Sequence, residues 1–237
     1  MEEKLLTIEG LNAFYGKSHV LQNISLEANK GEKIVVLGRN GMGKSTLLKA
    51  IMGLKEVTRK GSILFRNEEM IERRTDEIAR AGIAYVPQGW LLFSSLSVDE
   101  HLRIAYRPAK SDHEWTPERI YSTFPEIAQR KDTGGTKLSG GEQQILAISR
   151  ALVGNPGLIL MDEPSEGIST MVIERIIGIC QDLASQGVSI LVAEQNLDLA
   201  QRIADKVYIL VNGQIIYCSG ITEFIHDKEN QKKHLGV

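Results

Sequence analysis

Three short stretches carry residues whose types and spacing suit work on phosphates. GRNGMGKST, residues 38–46, fits G-x-x-x-x-G-K-[ST] and lies between an apolar run and an amphipathic stretch. Gly38, Gly41 and Gly43 are expected to tolerate unusual dihedrals. The backbone N–H groups of Arg39, Asn40, Met42 and Thr46 then aim at an anion, backed by the positive end of a helix dipole. Lys44 is expected to pair with the β- and γ-phosphates, and Ser45 to ligate Mg²⁺. LILMDEP, residues 158–164, ends an apolar run in two carboxylates. A strand emerging beside a phosphate-binding strand is where Mg²⁺ must be held, so Asp162 is the metal-side residue. Glu163, pointing the other way along the strand, is placed to orient or deprotonate an attacking water. VSILVAEQN, residues 188–196, ends a third apolar run in three polar side chains. Asn196 reads as the cap of a following helix, and Glu194 has no evident role.

TKLSGGEQQILAISRAL, residues 136–152, is first of all a helix start. Ser139 as N-cap and Glu142 three residues on make a capping box, and Ile145, Leu146, Ile148 and Leu152 follow at helical spacing. Gly140 and Gly141 in the first turn each cost about 1 kcal/mol of helix propensity relative to Ala. They leave bare N–H groups facing outward, suited to a second phosphate.

Positioning these groups requires buried strands joined by helices. KIVVL, GLILM and VSILVA are continuous apolar runs of the kind found in central parallel strands, while LLTIEGL and ISLEA alternate like half-covered ones. KSTLLKAIMGL places Leu47, Leu48, Ile51 and Met52 on one helix face before a capping Gly53. GSILFRNEEMI reads as a hairpin-like return and IAYVP as a short strand. Short helices follow from Gly89, including one opened by Thr116 and Pro117. After Lys131 the strand and helix alternation resumes, with a long amphipathic helix after Ser169 and a closing hairpin turned at Asn212-Gly213. The last stretch, HDKENQKKHLGV, is polar and carries no signal.

The 237 residues suit one α/β domain with an inserted subdomain, and a net charge of −2 without long basic runs argues against a general nucleic-acid surface. The acidic opening MEEKLLTIEG does not resemble a secretory signal. The apolar runs fall far short of the roughly 20 residues that span a bilayer. Cys180 and Cys218 read as separate reduced thiols.

LSGGEQQ, with GRNGMGKST before it and LILMDEP after it, resembles the ATP-binding subunit of an ABC transporter, and the likeness runs over residues 5–219. The resemblance implies one P-loop ATPase domain over 1–237, with a mainly parallel core sheet, N-terminal antiparallel strands and an inserted helical subdomain over 89–153 carrying LSGGE. It implies ATP and Mg²⁺ as ligands, with Tyr15 stacking on adenine and Gln88 touching Mg²⁺ or the attacking water. In that family two ATPase subunits close head-to-tail, so Ser139, Gly140, Gly141 and Glu142 would act on the ATP of a second ATPase subunit, identical or related. The run Trp90, Leu91, Leu92, Phe93 is either local core or a docking patch for transmembrane permease subunits. Such a subunit sits on the cytoplasmic side of the cell membrane, serves an extracytoplasmic solute-binding protein indirectly, and binds no nucleic acid.

Two departures from the usual family pattern narrow the likeness. Ser169 stands where most members end this loop in Asp, and Gln195 where most have a His against the γ-phosphate. DEPSEGI and EQN together resemble ATPase subunits of importers for branched-chain amino acids, with relatives for urea or short amides. Other readings are an ABC ATPase for another solute such as a lipid, a soluble member acting on nucleic acid or ribosomes, and a P-loop kinase. Soluble members carry coiled-coil insertions or two cassettes, and a kinase has no use for LSGGE.

Overall fold

The computed structural model describes residues 3–109 and 114–236. The chain opens with β1 (Lys4–Tyr15) and β2 (Ser18–Asn29), an antiparallel pair, and enters the core through β3 (Lys33–Leu37). The phosphate-loop helix α1 (Lys44–Met52) ends at Gly53, whose left-handed backbone lets its N–H reach the Lys49 and Ala50 carbonyls. β4 (Thr58–Phe65) then pairs with β1, and β5 (Glu68–Glu69) closes a four-stranded sheet in the order β2-β1-β4-β5.

Helix α2 (Thr75–Ala81) leads to β6 (Ile83–Val86), which edges a second sheet. Among the described residues there follow the α-helices α3 (Val98–Ala105), α4 (Pro117–Thr123), α5 (Pro125–Ala128) and α6 (Gly140–Leu152). The Thr116 side chain accepts from Arg119 N–H and caps α4, with Pro117 at its first turn, as the Thr-Pro pair predicts. The chain re-enters the sheet at β7 (Leu158–Asp162), crosses α7 (Thr170–Ser185), and runs through β8 (Ser189–Glu194), α8 (Leu197–Ile203), β9 (Lys206–Val211), β10 (Gln214–Gly220) and α9 (Ile221–His226). The six-stranded order is β10-β9-β3-β8-β7-β6, parallel except for β10.

The continuous apolar runs are explained by burial on both faces. Along β3, Ile34 and Val36 face an apolar layer shared with α1 and the antiparallel sheet, while Val35 and Leu37 face one shared with α6, α7 and α8. β7 divides in the same way, with Leu158 and Leu160 on the first side and Ile159 and Met161 on the second. The closing hairpin turns through Asn212 (φ +47°) and Gly213 (φ +75°), the left-handed pair expected of Asn-Gly.

The polar tail departs from its expectation. Gln231 is buried, and its amide donates to the Phe224 carbonyl at 2.5 Å. The Leu235 carbonyl accepts from Arg39 Nε at 3.3 Å, which ties the tail to the phosphate loop. A hydrophobicity pattern cannot show these contacts, because they are made by a side-chain amide, a guanidinium and backbone carbonyls.

Candidate nucleotide site

Three neighbouring parallel strands deliver the site to one end of the sheet, where ligands bind in parallel α/β sheets. β3 runs into residues 38–43, β7 ends on Asp162, and β8 ends on Glu194. Register places Leu37 beside Glu194 and Asp162 beside Ala193.

The loop depends on its glycines for two different reasons. Gly41 (φ +81°) and Gly43 (φ +106°) take left-handed backbone, as expected. Gly38 does not. A Cβ there would lie 2.6 Å from the Leu210 carbonyl oxygen, so Gly38 is required by close approach to β9 and not by its dihedrals. Met42 anchors the far side: its carbonyl accepts from Gly213 N–H at 3.0 Å, and its sulfur lies 3.3 Å from Asn212 N. Arg39 and Asn40 are exposed, whereas Thr46 is buried in the first turn of α1.

Lys44 is only 3% exposed, and its Nζ donates to the Gly38 and Arg39 carbonyls at 2.8 and 3.2 Å. The same ammonium pairs with Glu163 Oε1 at 2.8 Å. Ser45 Oγ donates to Asp162 Oδ1 at 2.9 Å, and the Tyr85 hydroxyl donates to Oδ2 at 3.1 Å. Burial raises the Asp162 carboxyl above the usual range, against the lowering effect of those hydrogen bonds. Burial, and then the Asp162 charge, pushes the Tyr85 phenol far up, so it stays a donor. Among the described residues no three His, Cys, Asp or Glu side chains gather as a metal cage. The Ser45 and Asp162 oxygens therefore fit a hard cation that draws most of its ligands from phosphate and water.

Glu163 lies just past the strand and does not continue it. Its φ of +46° is left-handed, a conformation that costs a non-glycine residue about 1–3 kcal/mol. Its N–H donates to the Ala193 carbonyl at 2.8 Å. The Gln88 amide donates to Glu166 Oε2 at 2.5 Å. Glu194 is 2% exposed, and its carboxylate accepts from the backbone N–H groups of Ser165, Gln195 and Asn196. The Gln195 side chain is exposed, and Asn196 caps α8 by accepting from Leu199 N–H. Tyr15 is half-buried at the end of β1, packed on the apolar layer that includes α1.

The LSGGE residues open α6, the last helix between β6 and β7. The capping box is present, with Ser139 N–H donating to Glu142 Oε2 at 2.8 Å and Ser139 Oγ accepting from Glu142 N–H at 3.4 Å. The backbone hydrogen bond from Ser139 is the first cause holding the Glu142 carboxyl below the usual range. The two glycines do more than bare their N–H groups. A Cβ on Gly141 would sit 2.6 Å from Val172 Cγ2, and one on Gly140 would sit 3.3 Å from the Trp90 ring. They therefore admit α7 and the 88–93 segment at close range. In that segment Trp90 (φ +63°) and Leu91 (φ +44°) are left-handed, with their carbonyls bound by Arg150. Trp90 and Leu92 pack inward, while Leu91 and Phe93 are 66% and 55% exposed.

Sequence reasoning missed Tyr85, Glu166 and the tail contact. Tyr85 carried a usable signal, because an aromatic hydroxyl two residues before Pro87 ends a strand parallel to β7. Glu166 and Leu235 carried none.

A family model described as ABC transporter matches residues 21–166. The chain is 38% identical to the high-affinity branched-chain amino acid transport ATP-binding protein BraG of Pseudomonas aeruginosa, over 90% of this chain and 91% of that one. It is 34% identical to the probable branched-chain amino acid transport ATP-binding protein LivF of Archaeoglobus fulgidus, over 96% and 97%. A dimeric ATP-binding cassette in a post-hydrolysis state with ADP and Pi superposes with a TM-score of 0.78 at 25% identity, covering 92% of this chain and 99% of that one.

Proposed function

This chain belongs to the ABC transporter family as an ATP-hydrolysing subunit, and from that premise we propose that it drives a membrane importer for branched-chain amino acids. The observation that carries the catalytic reading is the pairing of Lys44 with Glu163 and of Ser45 with Asp162 at one strand end. In this reading Lys44 leaves Glu163 for the β- and γ-phosphates, which frees the carboxylate to orient and deprotonate the attacking water. Ser45 and Asp162 hold Mg²⁺, which when bound neutralises phosphate charge. Tyr85 keeps Asp162 in place. Gln88 must release Glu166 to reach the metal or the water, and Gln195 contacts the γ-phosphate from the exposed turn. Tyr15 stacks on the base.

Ser139, Gly140, Gly141 and Glu142 face the nucleotide of a second ATPase subunit, the arrangement favoured by likeness to the dimeric cassette. Leu91 and Phe93 offer an apolar face to the permease. Among the described residues no helix is long and apolar enough to cross a membrane. In this reading, which rests on the family likeness, the subunit works on the cytoplasmic face through that apolar contact. The cargo reading rests on the likeness to BraG and LivF together with the SEGIS and EQN stretches.

Two measurements test it. In Glu163→Gln, MgATP binding is expected to persist while turnover falls about 10²–10⁴-fold; full hydrolysis in that variant overturns the base assignment. In proteoliposomes holding the subunit with its permease and solute-binding protein, ATP is expected to drive leucine uptake. Uptake of urea, amides or lipid instead overturns the cargo assignment.

A further inference from the structure

Glu194 takes no part in those roles, yet it closes the strand beside Asp162 and is almost fully buried. A carboxylate removed that far from water needs hydrogen-bond partners. Its partners are backbone groups. Oε1 accepts from Ser165 N–H at 3.0 Å, and Oε2 accepts from Gln195 and Asn196 N–H at 2.9 Å each. Its own carbonyl accepts from Gly38 N–H at 3.2 Å. One residue thus joins the start of the phosphate loop, the segment after Glu163 and the turn carrying Gln195.

The consequence falls on Glu163. A non-glycine residue stays left-handed only where its surroundings over-determine it. Glu163 N–H is fixed by the Ala193 carbonyl, and two residues later Ser165 N–H is fixed by the Glu194 carboxylate. With the second tie loosened, the turn can relax toward ordinary dihedrals and carry the Glu163 carboxylate away from Lys44.

We propose that Glu194 is a positioning residue for ATP hydrolysis: its carboxylate clamps the Ser165 and Gln195–Asn196 backbones so that Glu163 is held toward the phosphate loop. The proposal rests on the reading of Glu163 given above.

Glu194→Gln keeps the side chain's size but turns an NH₂ toward backbone donors, so at least one of the three bonds is lost. Glu194→Asp keeps the charge and shortens the reach. Both are compared with wild type, alone and combined with Glu163→Gln, by steady-state ATPase of the subunit bound to its permease and by single-turnover hydrolysis for slow variants. The expected result is a fall in kcat of about 10- to 100-fold, the scale of a small misplacement of a reacting group. KM for MgATP is expected to stay within about two-fold, and neither Glu194 substitution should lower the rate further in the Glu163→Gln background, because residues acting as a unit are non-additive. An unchanged kcat, a loss confined to KM, or a full multiplicative loss in the Glu163→Gln background overturns the proposal while leaving the role of Glu163 intact. A Glu163→Gln protein that hydrolyses at the wild-type rate overturns both. If Glu194→Gln does not fold, Glu194→Asp decides by the same criteria.

Discussion

At the carboxyl ends of β3, β7 and β8 the charged side chains are answered from within the chain, whereas the face made by residues 88–93 and 139–142 exposes the Leu91 and Phe93 side chains beside the capped start of α6. Lys44, Asp162 and Glu194 are each at most 3% exposed, and each has hydrogen-bond partners from other elements. On the other face Leu91 and Phe93 are largely exposed, and the hydrogen bonds of Ser139 run to Glu142 and to the helix it caps. A buried charge must be fixed in place because an unmet one is costly. An exposed apolar side chain carries no such requirement and is free to serve a partner. In the proposed function the first region holds the nucleotide and the second meets a neighbouring chain.

The sharpest way to break this comparison adds a single methyl group. Gly38→Ala removes no charge, but its Cβ would lie 2.6 Å from the Leu210 carbonyl, so the loop or β9 must move. We expect a loss of about 1–3 kcal/mol of stability, as for other overpacked sites, and a drop in MgATP affinity of about tenfold or more, read by thermal denaturation and nucleotide titration. Wild-type affinity would mean that the phosphate end tolerates movement and the contrast is false.

A charge on the other face should act in the opposite way. Phe93→Asp places a carboxylate where the ring is 55% exposed and stacks on His101, so packing is lost only locally, away from the phosphate end, and the isolated subunit should keep its ATPase rate within about two-fold. Co-purification with the permease and ATP-driven uptake should both fall. If hydrolysis by the isolated subunit collapses as well, Phe93 supports the site from within and the two regions are one.

The two regions were also unequally legible. Phosphate-loop glycines, strand-end carboxylates and a capping box are local patterns, and the structure brings Lys44, Ser45, Asp162 and Glu163 together, although β8 lies between β3 and β7 where the sequence placed those two strands side by side. The two packed faces of β3, β7 and β8 were readable in their unbroken apolar runs. What remained hidden depends on contacts between distant segments: Gly38 against Leu210, Gly141 against Val172, Gln88 against Glu166, and Arg39 against Leu235. Glu194 was visible as an oddity, but its role needed the positions of three backbone N–H groups, which no side-chain pattern encodes.

The smallest effect concerns what holds the exposed face in shape. His101 is buried under Phe93, with its ring fitted against Gly135, where a Cβ would lie 2.8 Å from Cε1. Nε2 accepts from Phe93 N–H at 2.9 Å, and Nδ1 donates to the Ser97 carbonyl at 2.7 Å, which together require the neutral ring. Burial lowers its pKa, the nearby Arg150 charge adds to that effect, and the Ser97 carbonyl and Glu100 oppose it. The folded value therefore lies below the unfolded one near 6.5, and the unfolded chain binds the proton first. Stability from this residue is complete above that unfolded value and is lost as pH falls through the depressed folded one. Protonating Nε2 removes the acceptor for Phe93 N–H, so the 88–93 segment should loosen while the phosphate end is left alone. Following Trp90 fluorescence in a Trp115→Phe background from pH 7.5 downward should show this change, with a fall in Tm of about 2–4 °C if one ordinary hydrogen bond is lost. In His101→Gln the acid-induced change should disappear. If it persists there, another group controls the face, and its shape does not depend on the neutral imidazole.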